Sequence, residues 1–143
     1  MLVFSYRKWP TGRGVGIADA ADELIDLYVT AIMEFCSARL LVPFVSAIPP
    51  ATDVPAGANI RFEWLHGSLD DAIYRTNLLN TGLSTKCEEN RIGFFDPFDH
   101  IKVRDGEMDM AKHYDVVHIH SDHWPEIHRK TFETISNDPC DRR

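Results

Sequence analysis

The alternation of strand-like and helix-like stretches predicts an α/β or α+β domain, a mixed sheet of about four to six strands with about three packed helices. Three observations carry this. The apolar positions Ala21, Leu24, Ile25, Tyr28, Ala31, Ile32, Phe35 and Cys36 follow the i, i+3, i+4, i+7 spacing, which predicts a helix over residues 18–38. Residues 59–65 set Ile60, Phe62 and Trp64 against Arg61 and Glu63, the period-two pattern of a half-buried strand. Near the end, Trp124, Ile127, His128, Thr131, Phe132 and Ile135 form a second helical stripe.

The remaining elements follow in order. Residues 2–6 read as a short strand, and 11–16 as a glycine-rich connector. Its G-x-G-x-G spacing matches neither the dinucleotide nor the phosphate-loop fingerprint. Asp19, Asp22 and Glu23 in the next helix's first turns would repel an anion there. Residues 40–48 are apolar and β-branched enough for a strand, which Pro43 assigns to an edge. A loop over 49–58 is the one candidate boundary in a chain otherwise read as a single domain, 1–143. Ser68 and Asp71 give a helix-start signal, and Leu69, Ala72, Ile73 and Leu79 predict a short helix ending near Gly82. Residues 84–90 then read as a polar loop carrying Cys87. Strands are expected over 91–95, closed by Asp96-Pro97, and over 115–120, with 98–103 extended and a charged turn around Asp105-Gly106 between them.

Composition narrows the function classes. The net charge of −7, from 22 acidic and 15 basic residues, opposes nucleic-acid binding, which relies on neutralising phosphates. It suits a basic protein partner. No apolar run reaches membrane-spanning length, and the charged N-terminus lacks a secretory pattern. The three cysteines, Cys36, Cys87 and Cys140, are far apart and odd in number, as in a reducing cytoplasm. A cytoplasmic location is therefore expected. Cys36 lies on a helical stripe and reads as core, as do Trp64 and Trp124.

The pattern with chemistry is His118, His120, Asp122 and His123, spelling H-x-H-x-D-H between a strand and a helix. On a strand His118 and His120 share a face, and the following turn brings Asp122 and His123 back towards it. Imidazole and carboxylate suit zinc first, with iron and manganese as alternatives. A plainer reading makes Asp122 the helix N-cap, with Pro125 in the first turn, His118 a core residue, and His120 and His123 surface residues. Asp96, Asp99 and His100 share a loop where they could assist a metal or a proton transfer, whereas lone His66, His100 and His113 are more often structural.

The stretch from His118 to His123 resembles the signature of the metallo-β-lactamase superfamily. Residues 94–97, Phe-Phe-Asp-Pro, and 59–67 look like upstream strands of lactonase-like members. The resemblance implies His118 and His120 on one metal, Asp122 and His123 on a second, Asp122 as the candidate catalytic carboxylate and Asp96 in an outer shell. The family carries further ligands well downstream, whereas only residues 124–143 follow the motif here. The implied function is a zinc-type metal-binding protein resembling part of a metal-dependent hydrolase, degenerate or completed by a partner. The competing expectation is an acidic, immunity-type inhibitor of a basic protein.

Overall fold

The computed structural model describes residues 16–52, 68–109, 111 and 119–137. The expected strands at 2–6 and 59–65, and most of the one at 115–120, lie outside these residues.

Helix α1, Ile17–Ser37, buries Ala21, Ile25 and Val29 at helical spacing, while the outer members of the expected stripe, Ala31 and Phe35, are exposed. Strand β1 spans Phe44–Ser46 and helix α2 spans Leu69–Glu89. Strand β2, Gly93–Phe95, lies parallel to β1, pairing Phe44 with Gly93, Val45 with Phe94 and Ser46 with Phe95. This β1–α2–β2 run is a βαβ unit, in which the crossover helix returns the chain to the start of the neighbouring strand. Beyond it, β3 (Lys102–Arg104) and β4 (Glu107–Met108) form an antiparallel pair around Asp105-Gly106, and helix α3 covers Trp124–Asn137.

The expectation of one mixed sheet of four to six strands is therefore corrected. Among the described residues there are three helices and two separate two-stranded sheets, an α+β arrangement. Among the described residues, an isolated parallel bridge between Ala51, after β1, and Glu107 of β4 links the two pairs, and the chain passes from β2 to β3 through Pro97 and a single 3-10 turn, Asp99–Ile101. The same turn replaces the extended chain expected there. The strand expected over 40–48 is trimmed to Phe44–Ser46 because Leu40 adopts the left-handed conformation, φ 56°.

Gly82 does not end a helix. α2 runs seven residues past it to Glu89, so the loop expected over 84–90 is mostly helix. Thr76, Leu79, Leu83 and Cys87 form its buried face, at a spacing that continues through Gly82. A methyl group on Gly82 would lie 2.4 Å from Ile25 Cδ1, so the missing side chain is what lets α1 and α2 approach. The helices actually end one turn past their apolar stripes in the same way. Leu41 N–H donates to Cys36 O at 3.0 Å and Ile92 N–H to Cys87 O at 2.8 Å, with Leu40 and Arg91 left-handed just before them. These are Schellman ends in which leucine and arginine occupy the place glycine usually takes.

Two apolar clusters result. Val29, Val45, Leu79, Leu83 and Ile92 join α1, α2 and β1, while Phe98, Ile101, Met108, Ile119 and Ile127 pack beneath α3. Phe94 of β2 touches both, so the short parallel pair joins the two halves of the core. Lys86 adds an ion pair from α2 to Asp26 of α1 at 2.7 Å, and Asp26 holds the ammonium above the usual lysine range. Among the described residues, no helix is long and apolar enough to cross a membrane.

Candidate functional site

The carboxyl ends of parallel strands are where open α/β sheets place their ligands, because loops diverge there and leave a crevice. Here that edge is formed by the segment after β1 and by Asp96, immediately after β2. Asp96 is fixed from two sides. Its Oδ1 accepts from Phe98 N–H at 2.9 Å, an Asx-type turn that redirects the chain, and its Oδ2 accepts from Lys102 Nζ at 2.6 Å. Lys102 also reaches Asp99 at 3.3 Å. Burial on its own would lower the Lys102 ammonium, but Asp96 and Asp99 outweigh it and hold the group above the usual lysine range. Asp96 thus belongs to a lysine-centred pair.

The 3-10 turn after this pair presents His100, and a second 3-10 turn, Ser121–His123, leads into α3. The two turns converge. The rings of His100 and His123 lie 5.8 Å apart, centroid to centroid, tilted by 56°. Ile119 and Ile127, buried on either side of the second turn, pack with Ile101 of the first and hold the turns against each other. Glu126, one turn into α3, is gripped by Arg129 at 2.5 and 2.8 Å. Arg129 draws the Glu126 carboxyl below the usual range, and the charge of a protonated His100 adds a smaller pull.

His120 and Asp122 interact locally. The Asp122 backbone N–H donates to His120 Nδ1 at 3.3 Å, and the Asp122 carboxylate lies 3.4 Å from the same nitrogen. His120 therefore caps this 3-10 turn, and Asp122 lies within the turn, two residues before α3 begins at Trp124. An imidazole whose Nδ1 accepts from a backbone N–H carries its neutral-state proton on Nε2. For Nε2 to bind a metal or take up a proton, the ring proton must move to Nδ1, where the Asp122 carboxylate can receive it. Asp122 is thus placed to orient His120.

Of the motif residues, the structure places His120 and Asp122 together and His123 against His100. His118 lies outside the described residues. Among the described residues, no group of three or more histidine, cysteine or acidic side chains is arranged to hold a metal ion. His100, expected as a lone histidine to be structural, has the cluster Asp96, Asp99, His100 as its only local signal in the sequence. Trp124, expected in the core, is 44% exposed, beside His128 at 5.7 Å between ring centroids. Comparison of the chain with protein-family models, curated proteins and solved structures finds no match.

Proposed function

We propose that the chain is a zinc-type metal-binding α+β domain with a hydrolase-like local site in the paired turns before α3. The observation that supports this most is the convergence of His100 and His123 from separate segments, 5.8 Å apart. Two imidazoles sharing one ion through a nitrogen each have ring centroids about 5–6 Å apart, given metal–nitrogen bonds near 2.1 Å. His120, oriented by Asp122, and His118 beside it in sequence are the further donors in this reading. A divalent ion held there would make its bound water acidic enough to supply hydroxide near neutral pH.

The test is metal content after dialysis against zinc, iron or manganese, on protein carrying no histidine tag. About one equivalent of one metal, lost both in His118→Ala/His120→Ala and in His100→Ala/His123→Ala, supports the reading. Trace metal, or metal unchanged in both variants, overturns it.

A second reading, an acidic protein that binds a basic partner, draws support from the α1 end of the molecule. Leu40, Leu41 and Val42, just past the end of α1, are 95, 51 and 65% exposed in a row, and Asp19, Asp22 and Glu23 are exposed in the first turns of that helix. Reversing those three acids to lysine should abolish association with the product of a neighbouring gene. Binding to that product unchanged by the reversal and by high salt, or no binding at all, counts against this alternative.

A further inference from the structure

A groove of about 320 Å³ opens between α2 and the β3–β4 turn. Ile48 and Pro50, which follow β1, and Asp96, which follows β2, line it, so it occupies the crevice at the carboxyl edge of the parallel pair. Asn77, Thr81, Ser84 and Thr85 project into it from successive turns of α2. Thr81, Ser84 and Thr85 are exposed on this face, where they border the groove opposite the β3–β4 turn.

The hydrogen-bonding states of these groups are informative. Asn80, on the same face, is fully engaged: its Oδ1 accepts from Ile48 N–H at 2.7 Å and its Nδ2 donates to Ile48 O at 3.1 Å. Thr131 and Thr134 on α3 donate back to their own helix carbonyls. Among the described residues, no side-chain hydrogen bond is found for Asn77, Thr81, Ser84 or Thr85. Three hydroxyls and an amide are thus available, each able to donate and to accept. Lys102 also lines the groove, but Asp96 and Asp99 already hold its charge. Nothing in this lining selects an anion.

From this we infer that the groove binds a small neutral polyhydroxylated molecule, a sugar ring or cyclic polyol. Each hydroxyl of such a ligand both donates and accepts, matching the α2 face, while its C–H face can rest on Ile48 and Pro50. The volume is at the small end of ligand sites, which run from about 300 Å³ upward. Gly106 has a part in this. It is left-handed at φ 77°, and a methyl group on it would fall 2.4 Å from Asn77 Oδ1, so glycine there leaves room for the amide at the groove wall. The site stands apart from the metal reading, because its ligand groups include none of the histidines.

Amide chemical-shift titrations with glucose, myo-inositol and, for contrast, inorganic phosphate test the proposal. A sugar or inositol should shift resonances of α2 and the Asp105-Gly106 turn saturably in the ~mM range, as a few neutral hydrogen bonds allow. Affinity should fall at least about tenfold in Thr81→Val/Ser84→Ala, as expected for losing about 1.4 kcal/mol or more of binding. Both positions are exposed on the helix, so circular dichroism of the variant should match the parent. Absence of saturable shifts up to about 100 mM of either polyol, preference for phosphate, or equal affinity in the variant overturns the assignment.

Discussion

Replacing Gly82 by alanine sets two opposed effects against each other, and their balance tests the α1–α2 contact directly. Alanine in a helix interior is worth about 1 kcal/mol more than glycine. The new methyl, however, would stand 2.4 Å from Ile25 Cδ1, inside the usual ~3.5–4.0 Å contact. Ile25 is 4% exposed and packed within the core cluster, so moving its terminal methyl disturbs neighbours. Overpacking of that kind costs about 1–3 kcal/mol, leaving Gly82→Ala destabilised by about 0–2 kcal/mol. Ile25→Val removes Cδ1 and on its own costs about 1 kcal/mol. In the double variant the alanine methyl takes the place Cδ1 leaves, so the overpacking cost disappears and the helix preference remains. The double variant should then lie within about 0.5 kcal/mol of the parent, a coupling of roughly 1–3 kcal/mol between the two sites. Urea unfolding followed at 222 nm, with equal slopes across the four proteins, measures this. Additivity of the two single changes would refute the close approach of the helices at Gly82.

Other outcomes follow from local features. Leu40, almost wholly exposed and left-handed, should give a protein about 0.5–1 kcal/mol more stable as Leu40→Gly by thermal melting; a loss of stability would contradict the αL geometry. Asn80→Ala strips both partners from the Ile48 backbone and should cost about 1–3 kcal/mol, while Asn80→Asp restores only the acceptor and should recover part of it at most. Ser68→Ala should cost about 1 kcal/mol, because the Ser68–Asp71 capping box is complete in this helix. Ser68 holds the Asp71 carboxyl below its usual range, so its contribution is present above about pH 4 and fades as pH falls through the lowered value. The acid limb of the stability curve should accordingly be shallower in Ser68→Ala, and an identical limb would exclude this linkage. Finally, Cys87 is fully buried and burial pushes its thiol up, so native-state labelling by a disulfide reagent should be far slower at Cys87 than at half-buried Cys36. Equal rates by peptide mass analysis would place Cys87 elsewhere.

The long amphipathic helices were legible because a 3.6-residue period needs no partner to be seen. α1 and α3 match their stripes closely in extent, and the capping signal at Ser68 set the start of α2. Their ends were harder to read. Gly82 resembles a terminator, yet its role is steric, and the true terminators are a left-handed leucine and arginine, after which the Leu41 and Ile92 N–H groups turn back onto the Cys36 and Cys87 carbonyls. The extent of the strands is hard to read for a related reason. The apolar stretch before β1 resembles a strand locally, but Leu40, Leu41 and Val42 are exposed and the chain begins pairing only at Phe44. In the candidate site, spacing identified His120, Asp122 and His123 but could not show that His120 turns towards Asp122 while His123 turns towards His100. The partnership of His100 with His123 joins residues far apart in sequence, so local spacing carries no trace of it. The groove leaves no trace in the sequence, because a helical face of threonine, serine and asparagine looks solvent-facing until the β3–β4 turn is placed opposite it.

The parallel pairing of β1 with β2 also sets the order in which the molecule assembles. Phe44 and Gly93 are partners about fifty residues apart, and closing a loop of that length costs a few kcal/mol of chain entropy before any contact repays it. Each strand is only three residues long, so the pair offers little return until α2 has already drawn its ends together. The packing of α1 on α2 closes a loop of similar length but is repaid by buried Ile25, Val29, Leu79 and Leu83, so it should supply the nucleus, with strand closure as the late, downhill event. Substitutions at Val45 or Phe94 should chiefly accelerate unfolding, whereas those at Leu79 or Leu83 should slow folding. Stopped-flow chevrons that showed the reverse partition would place the nucleus in the strands.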